Sequence, residues 1–137
     1  MTMRRKNVMT MVAAVCLLLM VTLTFSCCCN NKIDVEREVA SAIHSDKPCL
    51  EHVYEDEKWD CVHILLPYQD PHQLGLRISH SDLKSLENLS LADQYCTLIF
   101  GHKGDLVAYS AIKRSVVDFS NIKGRKFHRG YVFQMKD

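Results

Sequence analysis

Tyr95-Cys96-Thr97-Leu98-Ile99-Phe100-Gly101-His102-Lys103-Gly104-Asp105-Leu106-Val107-Ala108-Tyr109-Ser110-Ala111-Ile112 is the stretch on which the fold turns. Two apolar runs rich in strand formers flank His102-Lys103-Gly104-Asp105, where glycine enters the left-handed region without the Cβ penalty that other residues meet. The segment predicts a β-hairpin. Upstream, Lys58-Trp59-Asp60-Cys61-Val62-His63-Ile64-Leu65-Leu66 is a second strand signal that stops at Pro67-Tyr68. Asp34 is the expected N-cap of a helix running to about Ile43, with Val35, Val39, Ala42 and Ile43 on one face. Ser81 to Leu86 predicts a capped helical turn with Leu83, Leu86 and Leu89 inward. Downstream, Gly130 to Met135 reads as a last strand, which needs a neighbour to satisfy its backbone groups. The expected fold class is α+β: a small, mostly antiparallel sheet of three or four strands, with one or two helices covering one face.

The 137 residues divide by composition near Cys27. Arg4, Arg5 and Lys6 precede an uncharged run from Val8 to Phe25, and every acidic residue follows Cys27. A positive n-region before such a run is a targeting signal, either a cleaved signal peptide or a retained anchor, and its length sits between the two ranges. Without those three cations the remainder has 14 basic and 16 acidic residues, which predicts no nucleic-acid partner from bulk electrostatics. The acidic run Glu51 to Asp60 and the basic C-terminal stretch from Lys113 to Arg129 read as two solvated faces of one domain.

Ser26-Cys27, followed by Cys28, Cys29 and the polar Asn30-Asn31-Lys32, resembles the lipobox of bacterial lipoproteins, although Thr24 stands where an aliphatic residue is usual. The resemblance implies a thioether-linked diacylglycerol on Cys27, cleavage before it, and acylation of the new amino group. Two or more buried acyl chains hold a protein stably at a membrane, where one binds only marginally. The expected organisation is therefore a signal peptide or membrane anchor over 1–26, a lipidated tether over 27–33, and one extracytoplasmic domain over 34–137. Trp59-Asp60-x-Val62-x-Ile64-x-x-Pro67-Tyr68, Leu98-Ile99-Phe100 with its glycine turn, and Arg114-x-x-x-Asp118-Phe119 are similar to motifs of a widespread group of small uncharacterised bacterial lipoproteins. That group implies the same fold and brings no catalytic residue.

Export to an oxidising compartment lets thiols pair. Cys49, Cys61 and Cys96 are odd in number; a Cys61–Cys96 disulfide is expected, with a Cys49–Cys61 loop and pairing to Cys28 or Cys29 as alternatives. Cys61-x-His63 places a thiol and an imidazole on one strand face. They could serve a hydrolase or supply two ligands to a metal, yet no spacing completes a nucleophile motif or a zinc site, so no catalytic residue, metal or cofactor is expected. Trp59 and Asp60 are candidates for anchoring a partner, against the alternative that Trp59 fills the core and Asp60 pairs locally. Arg125 and Lys126 are candidates for an anionic surface, against a solvated loop. The expected function is a non-enzymatic, membrane-anchored envelope lipoprotein that binds an unknown envelope protein. An inhibitor or immunity protein against a toxic enzyme, and a hydrolase using Cys61 and His63, are the alternatives.

Overall fold

The structure, a computed structural model, describes residues 30–135. The expectations for the leader and for Cys27 lie outside those residues. The elements are α1 (Glu36–Ile43), β1 (Cys61–Leu65), a 3-10 turn (Pro71–Leu74), α2 (His80–Ser90), β2 (Tyr95–His102), β3 (Asp105–Lys113) and β4 (Lys126–His128). The four strands form one antiparallel sheet in the order β3-β2-β1-β4. The fold is α+β.

The hairpin is β2–β3. His102 pairs with Asp105, and the two loop residues Lys103 and Gly104 have φ of 48° and 83°. Positive φ at both positions is the pattern of a type I′ turn, whose twist matches that of the flanking strands. Beyond it the register shifts: Phe100 pairs with Ala108 but Gly101 with Leu106, so Val107 is an extra residue in a β-bulge.

The two helices lie on opposite faces of the sheet, not on one. Val35 at the N-cap of α1 and Val39 and Ile43 within it share a core with Val62, Ile64, Leu98, Phe100 and Ile112, while Leu86 from α2 packs on the other face with Leu65, Ile99 and Tyr109. That arrangement explains why β2 is buried without interruption from Cys96 to Gly101. A strand covered on both faces has no solvent side on which to alternate.

Helix starts differ from expectation by a residue or two. Val35 is the N-cap of α1 and has no side-chain cap bond, while Asp34 accepts the Glu36 N–H from one position earlier. Ser79, not Ser81, caps α2, its hydroxyl accepting the Asp82 N–H at 3.2 Å.

The last strand is also displaced: Lys126–His128 pairs with β1, whereas Gly130 to Met135 contributes only one isolated bridge, Cys49 to Val132. Phe127 is the residue in this region that faces the core beside Val62. Tyr131 and Phe133 then fold back on it, with ring centroids 4.7 and 4.9 Å from that of Phe127. Tyr131 and Phe133 also meet each other at 5.1 Å, so the three rings form one aromatic cluster although the ladder to β1 stops at His128.

Candidate interaction surface

The two cysteines expected to pair are kept apart by register and by face. Cys61 lies opposite Gly101, five residues from Cys96, a separation of roughly 16 Å along the strand. Bridged cysteines have Cα atoms under about 7 Å apart. Cys96 also shares the α1-side core with Leu98 and Phe100, whereas Cys61 alternates with Val62 and so faces the other way. Among the described residues Cys49, Cys61 and Cys96 are all free thiols.

Cys61 does meet His63. Its Sγ lies 3.7 Å from Nε2 of His63. Burial, helped by the Asp60 carboxylate, pushes the Cys61 thiol up; burial, helped by Lys126, pushes the His63 imidazole down. Both shifts favour the neutral forms, the reverse of the thiolate and imidazolium that a cysteine nucleophile uses. The space for the thiol comes from Gly101, where a Cβ would stand 3.0 Å from the sulfur and 3.2 Å from a Leu76 methyl. The geometry is that of a packed strand face.

Trp59 is removed from the candidate surface by burial. It is 3 % exposed, meets Phe100 edge-on at 4.9 Å and donates its indole N–H to the Tyr54 carbonyl at 2.6 Å. The Arg129 guanidinium covers it, 4.6 Å from the ring centroid. Asp60 is exposed and works locally: its carboxylate accepts the Lys103 N–H at 3.2 Å and faces His102 Nδ1 at 3.3 Å, tying β1 to the hairpin tip. The Lys103 N–H, more than any other neighbour, holds the Asp60 carboxyl below its ordinary range. Lys126 is exposed opposite His63. The expected basic loop is thus partly strand.

Arg125 falls in a more informative place. It donates to its own loop, at 2.8 Å to Ile122 O and 2.7 Å to Gly124 O, and so presents a held guanidinium. With Tyr68, Gln69, Asp70, Gln73 and Leu74 it lines a cleft of about 450 Å³ at the Leu65 end of β1.

Tyr68 was not among the residues expected to bind. It is 68 % exposed and has φ of 63°, while Leu91, at the C-cap of α2, is 69 % exposed. The Tyr68 N–H donates to Ser90 O at 2.6 Å, so the two large apolar side chains stand at adjoining backbone positions. Gln69 N–H donates to Leu66 O at 3.2 Å. With Pro67 at the second position and a positive φ at the third, this is the pattern of a type II turn, in which glycine usually occupies the place of Tyr68. The sequence carried a signal for this in Pro67-Tyr68-Gln69: a proline turn lacking the expected glycine.

No protein-family model, curated protein or solved structure matches this chain. Among the described residues no group of three or more His, Cys, Asp or Glu side chains could hold a metal ion, and no helix is long and apolar enough to cross a membrane.

Proposed function

We propose that this chain is a membrane-anchored envelope lipoprotein, acylated at Cys27, whose single domain binds a protein through the surface carrying Tyr68, Leu91 and Arg125. The observation that carries the reading is Tyr68. A bulky side chain in the left-handed region costs roughly 1–2 kcal/mol relative to glycine or an ordinary backbone conformation. Here it costs that while leaving its ring in water, so it does nothing for the core. Strain of this kind persists where the exposed group has a use. Tyrosine and arginine are also the residue types that concentrate binding energy at protein interfaces.

The hydrolase reading has less support, because burial pushes the Cys61 thiol up, away from the thiolate that attacks. A photo-crosslinking side chain placed at position 68 in the intact cell envelope should yield one discrete adduct. The same group at exposed Glu57, at the other end of the sheet, should yield none. Adducts of equal intensity at both positions would reject the surface. Mass spectrometry of the mature N-terminus tests the anchor independently, since an unmodified Cys27 would remove lipidation from the proposal.

A further inference from the structure

We propose that the hairpin end of the sheet is the surface this protein presents to lipid headgroups, held there because the chain locks into the fold directly after its anchor, with Tyr68 and Leu91 displayed at the far end. The inference rests on the membrane anchoring proposed above. Residues 30–33 were expected to belong to a tether; they are instead part of the domain. The Asn31 side chain donates to Asp82 Oδ2 at 2.8 Å and its backbone N–H to Oδ1 at 3.3 Å, across 51 positions of sequence. Asp82 is 1 % exposed, and Ser79 Oγ donates to it at 3.0 Å. A buried carboxylate requires donors, so the strap satisfies a group that water cannot reach. Tyr109 secures the same segment by donating its hydroxyl to Asn30 Oδ1 at 2.7 Å and its backbone N–H to Asn31 O at 3.0 Å.

The direction of the strap sets the orientation. Lys32 pairs with Tyr109 in parallel, so the strap runs in the direction of β3 and Asn30, its first described residue, lies on the hairpin side of Lys32. Asn30, Val107 and Glu57 line one cleft there. Three residue steps separate Cys27 from Asn30, at most about 11 Å of chain. An uncleaved helix ending at Phe25 would leave five steps, at most about 18 Å. β2 alone is eight residues long, about 25 Å, so neither anchor has the reach to turn the domain over. Tyr68 follows β1 at the Leu65–Thr97 end, away from Cys61 and Gly101, and therefore faces outward. The neighbouring Glu55-Asp56-Glu57 turn carries the same sign as anionic headgroups, so covalent reach enforces the contact and charge attraction does not.

The test uses the full chain, reconstituted into vesicles of phosphatidylethanolamine and phosphatidylglycerol. A fluorophore is carried on an encoded residue at position 57 or, in a second preparation, at position 91. A headgroup-attached nitroxide should quench position 57 several-fold more strongly than position 91. Inserting about twelve glycine and serine residues between Cys29 and Asn30 adds roughly 20 Å of reach without touching the strap. That insertion should remove the difference while leaving the thermal midpoint unchanged. Equal quenching at the two positions of the uninserted protein, in chains that float with the vesicles, overturns this orientation and leaves the anchoring intact. Chains that do not float overturn the anchored reading and this inference with it.

Discussion

His63 and Cys61 show how a residue's neighbours set its chemistry. His63 is buried beside Lys126, and both burial and that charge lower its pKa from 6.5. The unfolded chain therefore binds a proton at His63 more readily than the folded one. The resulting stability is fully present above pH 6.5 and is lost as pH falls through 6.5 towards the lower folded value. The melting temperature should fall between pH 7.5 and pH 5.5, and His63→Leu should flatten that slope; an unchanged slope in the variant would contradict the placement of this imidazole. Gly101→Ala would push a methyl into the Cys61 sulfur and should cost about 1–3 kcal/mol as overpacking. Cys61→Ala in the same chain should recover most of the loss. Purely additive single and double variants would show that the two residues do not touch. At Tyr68, glycine would relieve the left-handed strain but lose backbone entropy of similar size, about 0.5–1 kcal/mol. Tyr68→Gly should leave the denaturant midpoint nearly unchanged and abolish partner binding.

Among the elements, the hairpin and the displaced last strand contrast most. The β2–β3 turn was legible because two residues with positive φ within four positions demand glycine, and Gly104 was there to be seen. Gly104→Val should destabilise the domain by roughly 1–2 kcal/mol, measured by thermal unfolding, even though open space surrounds the glycine. β4 was not legible, because Lys126-Phe127-His128 offers one apolar residue between two charged or polar ones and pairs for only three positions. Its side chains alternate only because β1 supplies the register. The same register separates Cys61 from Cys96, and peptide mapping without reductant should find no Cys61–Cys96 link.

Across the whole molecule, the N-terminal strap ties the β3 edge of the sheet to α2 through Asp82. It pairs with the exposed edge of β3, beside Arg77, whose N–H donates to Gly104 O at 2.8 Å and whose carbonyl accepts the Leu106 N–H at 3.1 Å. Both segments cover an edge that would otherwise be open to a strand of another molecule. Asn31→Ala would leave Asp82 short of a donor, at a cost of about 1–3 kcal/mol, and would open the β3 edge. Limited proteolysis should then cut between Asn30 and Asp34, where the wild-type chain resists. Resistance equal to wild type would mean that the strap is held by its backbone bridge alone.

What the sequence determined by itself was local: strand-forming runs ended by proline, a glycine where the chain must reverse, helices with one apolar face, and an apolar leader before Cys27. Each depends on residues within about ten positions of one another, the distance over which periodicity and turn chemistry act. Only the tertiary structure decided the rest. It put the helices on opposite faces, Trp59 beneath Arg129, Cys61 and Cys96 on different faces, and Tyr68 beside Leu91. It also locked Asn31 to a carboxylate 51 residues away. Those outcomes depend on which strand lies beside which and in what register, and a shift of one residue would reverse every side chain on a strand.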